Sequence, residues 1–135
     1  MTDTVQMVYH GDELLDLNFH DCTVRGLRWD VTMPTLYVDL DFIVEWIRVE
    51  ERFHFLVAPA ELRFAWAKQV AIEFEISWES VQLDSITRED RVDGTSSPVS
   101  TWSLNLMEGV VTVETSDARL MLLKPPIRSS SRTLG

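Results

Sequence analysis

The sequence predicts a mainly β fold with little helix. The expected form is an antiparallel sandwich, or a strongly curved and partly closed sheet, of seven to nine short strands. Three observations predict it. Apolar residues recur at every second position through most of the chain. The breaks between these runs are of hairpin length. No stretch sustains the apolar spacing of an amphipathic helix long enough to compete.

Residues 1–18 read as a lead-in, in which Asp12-Glu13-Leu14-Leu15-Asp16-Leu17 suits one or two helical turns with acids early. From residue 23 the period becomes two. Val24, Leu27 and Trp29 belong to a first strand that ends near Val31. Thr32-Met33-Pro34-Thr35 is short enough to turn a hairpin. Leu36, Val38, Leu40 and Phe42 then alternate with Tyr37, Asp39, Asp41 and Ile43, which gives one buried and one wetter face. Residues 44–52 are mixed, and Glu50-Glu51-Arg52 reads as a solvated connection. Phe53, Phe55 and Val57 resume the alternation.

Residues 59–69 carry two signals. Pro59, the alanines and Lys68 favour a helix, whereas Leu62, Phe64 and Trp66 fall on one face of a strand. The flanking strands leave little room for a helix and tilt the reading to strand. Val70, Ile72, Phe74, Ile76 and Trp78 give the cleanest alternation in the chain, with Glu73 and Glu75 opposite. Val81, Leu83 and Ile86 extend the pattern. Residues 88–98 read as a polar loop with an Asp93-Gly94 turn. The last third reads as a meander: Trp102, Leu104 and Leu106, a turn at Glu108-Gly109, then Val111 and Val113. A second turn at Ser116-Asp117 leads to Leu120 and Leu122, with Met121 and Leu123 on a covered opposite face. Lys124-Pro125-Pro126 stops the sheet. Residues 1–123 form one β-rich domain, and residues 124–135 a flexible basic tail.

The chain has 135 residues and 45% hydrophobic content, so one domain with a full core is expected. It carries 22 acidic and 12 basic side chains, a net charge of -10. Lys124, Arg128 and Arg132 lie in the tail, so residues 1–123 hold 9 basic against 22 acidic side chains, a balance of -13. Such a surface disfavours nucleic acid and anionic membranes as partners. There is one cysteine, Cys22, and no apolar run of membrane length. The N-terminus has no leader-like pattern. A cytoplasmic protein is expected.

Motifs for chemistry are sparse. His20-Asp21 next to Cys22 invites a metal or acid–base reading, and makes His20 and Asp21 candidates for a small hydrolase or ligand pocket. Only His10 and His54 remain to support a metal, with no ligand spacing between them, so no metal is expected. The bland alternative is that His20 and Asp21 satisfy backbone groups where the first strand begins. The charge of Asp21 raises rather than lowers the pKa of the neighbouring thiol, and no nucleophile elbow or phosphate-cradling glycine loop is present. No cofactor is expected. Asp39 and Asp41, and Glu73 and Glu75, each lie two apart on a strand, about 6.5–7 Å by strand rise. A glycosidase needs such a pair in a cleft; a solvated sheet face needs nothing more. If the strands bearing Asp39, Asp41, Glu45, Glu73 and Glu75 are neighbours, they build a negative stripe suited to a basic protein. Trp46 beside it is a candidate anchor, or a core residue.

Phe19-His20-Asp21 followed by Val24, Leu27 and Trp29, then the Leu36-to-Phe42 strand, resembles the opening of a loose group of small bacterial proteins. Ala60-x-Leu62-x-Phe64, the Val70–Ile76 strand, Trp102-x-Leu104 and Gly109-x-Val111 continue the likeness, which spans residues 18–123. Some of these proteins are classed as immunity proteins of polymorphic toxin systems. The resemblance implies a protein that binds a cognate toxin without catalysis. A self-associating structural module is the third reading.

Overall fold

The computed structural model describes residues 6–75, 81–90 and 99–134. It is mainly β, as the alternation predicts. The described strands are β1 (Val8–His10), β2 (Thr23–Asp30), β3 (Thr35–Val49), β4 (Arg52–Ala65), β5 (Val70–Phe74), β6 (Val81–Asp90), β7 (Ser100–Leu106), β8 (Gly109–Thr115), β9 (Asp117–Leu122) and β10 (Ile127–Ser129). A 3-10 helix, Gly11–Asp16, occupies the place where one or two helical turns are expected. All described pairings are antiparallel, in the order β1-β9-β4-β3-β2-β6-β7-β8-β5, with β10 on β4. The sheet is not closed.

The sheet folds over on itself. β9, β4, β3 and β2 form one layer, and β6, β7, β8 and β5 the other. The inner face of β3, with Leu36, Val38, Leu40 and Phe42, and that of β4, with Leu62 and Phe64, pack into one core cluster with Trp102, Leu104, Val111 and Val113. Phe64 meets Trp102 across the layers with ring centroids 6.3 Å apart. β2 hands over to β6 through two register pairs only, Thr23↔Gln82 and Val24↔Val81. The layers also meet at a corner between β8 and β9, where the Thr115 hydroxyl donates to the Ala65 carbonyl.

Several elements depart from the sequence reading. The described strands number ten rather than seven to nine. They are not all short, because β3 has 15 residues and β4 has 14. β3 runs straight through residues 44–49, read as mixed, because a bulge at Val44 shifts its register. Residues 59–65 are strand, and the chain turns at Trp66 with φ 51°. β6 runs on through Arg88, Glu89 and Asp90, read as loop; the Asp93-Gly94 turn lies outside the described residues, as do Ile76 and Trp78. β8 and β9 are consecutive but not paired, so the last third is not a simple meander: β8 pairs β7 and β5, while β9 pairs β4 and β1. Leu123 is exposed and Met121 half-buried, so the outer side of β9 is not covered as expected.

Two short strands have no trace in the alternation. β1 lies inside the lead-in and pairs β9. β10 lies inside the segment read as a flexible tail and pairs β4 at Phe55, Leu56 and Val57. β9 covers only Ala60–Ala65 of β4, so β10 satisfies backbone groups of the stretch that β9 leaves. The chain then crosses to β2 and β3, where Leu134 packs on the core.

Candidate functional site

The outer face of the first layer holds the carboxylates predicted to form a negative stripe. Register places Arg28, Tyr37, Arg63 and Arg119 in one cross-strand row, and Asp39 and Glu61 in the next. The Arg28 guanidinium donates to both Asp39 oxygens at 2.9 Å and to Glu61 at 2.7 Å, and it also lies 4.7 Å above the Tyr37 ring. Hydrogen bonds to Asp39 and then Glu61 raise the Arg28 pKa further. These two rows together hold three arginines against two carboxylates, so this part of the face is not negative. Glu73 sits on β5 and Glu75 just beyond it. Four strands separate β5 from β3 in the sheet order. They gather with Glu108 around a separate hollow at the β7–β8 turn. The continuous acidic stripe does not form.

Asp41 is 3% exposed. One carboxylate oxygen accepts from Arg25 Nε at 2.9 Å and Nη2 at 2.6 Å, and from the Leu134 backbone amide at 3.3 Å. Arg25 reaches it because Arg25 is the extra residue of a bulge in β2, between Val24 and Gly26. A bulge re-aims one side chain out of the pleat, and here it turns the guanidinium onto β3.

A second charged chain lies beside the first. His20 Nδ1 is 3.0 Å from Asp84 Oδ1, and Nε2 is 3.5 Å from Asp21 Oδ2. Asp21 in turn is 2.8 Å from Arg132. The imidazole stacks on Trp46 at 6.5 Å. Asp84 is the extra residue of a bulge in β6. Asp21 itself has φ 65°, with its amide donating to the Leu83 carbonyl at 2.9 Å. Both ring nitrogens of His20 therefore face carboxylates. A general base needs a nitrogen aimed at substrate, and this one serves as a link between β2, β6 and the C-terminal segment.

Trp46 and Glu45 stand where the β3–β4 hairpin runs out toward its tip. The Trp46 ring meets Phe53 at 5.9 Å and Phe55 at 5.1 Å, both edge-on. Trp46 is half-buried, and Phe53, Val49, Glu45, Glu50 and Glu51 are exposed. Glu45 has no ion-pair partner among the described residues. Of the predicted site residues, the structure joins His20, Asp21 and Trp46 in one corner with Asp41 and Glu45 nearby on β3. It sets Glu73 and Glu75 apart.

Cys22 is fully buried between these chains, and the Ile43 amide donates to its Sγ at 3.5 Å. Burial, helped by the charges of Asp21 and Asp41, pushes the thiol up to about 12, above its ordinary 9.0. The unfolded chain then releases this proton first, so stability is full below pH 9 and falls as pH rises toward 12. Urea midpoints at pH 8 and pH 11 are expected to differ less in Cys22→Ala than in the parent. An equal drop in both would remove Cys22 as a source.

Among the described residues, no three His, Cys, Asp or Glu side chains converge as a metal site. No described helix is long and apolar enough to cross a membrane. Beyond the short β2–β6 pairing there is a cavity of about 240 Å³, lined mainly by Leu27, Val38, Val81, Leu104, Leu106 and Val111. His20 and Asp21 do not line it. No protein-family model, curated protein or solved structure matches the chain.

Proposed function

We propose that this chain is a non-enzymatic, cytoplasmic protein-binding domain, an immunity-type protein that neutralises a basic toxin. The observation that carries the reading is the β3–β4 hairpin arm. It presents an aromatic cluster, Trp46 with Phe53, on an arm where the exposed Glu45, Glu50 and Glu51 outnumber the exposed Arg48 and Arg52. Aromatic anchors on an arm with a surplus of one charge sign suit a partner of the opposite sign. The acid excess of the body steers such a partner from a distance. Arginines neutralise Asp39 and Glu61 on the first layer's outer face, so the steering charge and the contact charge are different residues.

The test is binding to the product of the neighbouring gene. Affinity is expected to fall as salt rises, because exposed charges are screened. Charge reversal of Glu45, Glu50 and Glu51 together to lysine is expected to weaken binding at least tenfold, mainly through slower association. A binding constant unchanged by salt and by the triple reversal would refute the acidic arm. Failure to bind or inhibit any basic neighbour would refute the immunity role.

A further inference from the structure

We infer that the outer face of the first layer holds a binding site for a phosphate group, built on Arg63 and Arg119. The site lies at the opposite end of β4 from the hairpin tip and does not depend on the reading of the arm.

Arg63 of β4 stands directly opposite Arg119 of β9. The same row runs on to Tyr37 and Arg28 on one side and to His10 of β1 on the other. Directly opposed side chains of an antiparallel pair have Cβ atoms about 5 Å apart, and like charges there repel. The fold thus holds two guanidiniums side by side at a cost.

Their donors are also unmet. The Nε atoms of Arg63 and Arg119 are both buried without a hydrogen-bond partner. Buried N–H groups nearly always have an acceptor, and one left without it costs stability. Among the described residues, Arg63 has neither a side-chain hydrogen bond nor an ion pair; its guanidinium lies 6.0 Å from the Tyr37 ring. Arg119 meets one carboxylate, Asp117, at 3.3 Å. Neither side chain is closed off, since both residues are half-buried and the side chain of Arg119 is 30% exposed.

The nearby acids are engaged elsewhere. Asp39 and Glu61 both bind Arg28. Asp30 accepts from the Thr32 amide and hydroxyl, and Glu13 accepts from the His10 amide. The pairing is uneven: Arg28 takes two carboxylates, Arg119 one and Arg63 none. The local charge is therefore positive at Arg63, although the whole chain stands at -10.

Ligand chemistry follows from the donors. A guanidinium is a planar fork that matches the oxygens of a carboxylate or a phosphate. A carboxylate has two oxygens and fills one fork. A phosphate group has more acceptor oxygens and nearly twice the charge at neutral pH. It spans both forks and offsets the repulsion between them. Turning the two heads onto it gives the orphaned Nε donors an acceptor. The negative charge of the chain keeps the affinity modest.

Inorganic phosphate is the probe, added to isotope-labelled protein at neutral pH and followed by NMR against sodium chloride of equal ionic strength. The Nε–Hε signals of Arg63 and Arg119 are expected to shift saturably, with half-saturation in the millimolar range. Those of Arg25 and Arg28, whose Nε atoms already donate to Asp41 and Asp39 at 2.9 Å, should move little. Arg63→Lys keeps the charge but loses the fork and should weaken binding at least fivefold; Arg63→Gln should abolish it. Acetate should bind at least tenfold more weakly than phosphate. Phenyl phosphate distinguishes the sources: tighter binding than the free ion assigns the site to a phosphorylated ligand, and equal or weaker binding assigns it to phosphate itself. Shifts that chloride reproduces, that never saturate, or that touch all four arginines alike would overturn the inference. So would acetate binding as tightly as phosphate, which assigns the site to a carboxylate. These readouts come from the parent protein, so they decide the matter even if the variants fold poorly.

Discussion

Replacing Arg25 with alanine is expected to destabilise the protein by about 3 kcal/mol, the lower end of the cost of stripping a partner from a buried ion pair. The lower end applies because Arg25 is itself half exposed, at 47% of its side chain, while that of Asp41 is 4% exposed. The asymmetry sets the sign of the comparison. Without Arg25, a buried carboxylate keeps, among the described residues, only the 3.3 Å bond from the Leu134 amide. Asp41→Asn leaves a half-solvated guanidinium that water can serve, so it is expected to cost less, about 1–2 kcal/mol. The double variant should then be less damaging than the sum of the singles, since the uncompensated charge is gone. Urea unfolding of the four proteins gives the cycle. A loss below about 1 kcal/mol for Arg25→Ala would show that water reaches Asp41 without it. The C-terminal segment responds too, because the Leu134 amide shares the same oxygen. Hydrogen exchange at Leu134 is expected to quicken in Asp41→Ala.

The Arg25–Asp41 pair also marks where sequence reasoning reaches and where it stops. The inner faces of β3, β4, β7 and β8 are legible because each buries one face against the other layer, and period two follows from the pleat. The bulges left only indirect traces. Val24 and Leu27 are both apolar but three apart, as are Leu83 and Ile86. An odd spacing inside a period-two run is the mark of an extra residue, and Gly26 within the strand pattern is a second cue. Those cues place Arg25 and Asp84 out of register, yet say nothing of Asp41 or His20 as their partners. The third bulge, at Val44, puts Ile43 and Trp46 on one face three residues apart, opposite Val57 and Phe55. That shift is why residues 44–49 did not read as a strand. β1 and β10 have three residues each and are held through backbone pairing, so no hydrophobic pattern announces them. Arg132 looked like part of a free tail because its partner, Asp21, is reached only after the chain recrosses the sheet.

The cleanest alternation in the chain includes a half-exposed residue, Ile72, and a pair of substitutions separates pattern from burial. Phe64→Ala is expected to cost about 4 kcal/mol, the range for deleting a fully buried aromatic ring and leaving a cavity. Phe64 is 0% exposed and touches Trp102 at 6.3 Å, so it ties the two layers near the middle of the core. Loss of the ring should also shift the Trp102 emission to the red as water approaches it. Ile72 sits in β5, where alternation is strongest, but it is 51% exposed at the edge of the second layer. Ile72→Ala is expected to cost less than about 1 kcal/mol, as surface substitutions do. The order of the two effects is the point. Alternation reports that a strand has two chemically different faces, and only the second layer decides which face is buried. At β4 the second layer is present, in Trp102 and its neighbours. At β5, Val70 packs on the core but Ile72 has no such cover, so the pattern at Ile72 carries little stability. Chemical denaturation of both variants decides this: a cost at Ile72 equal to that at Phe64 would mean that β5 is covered in solution.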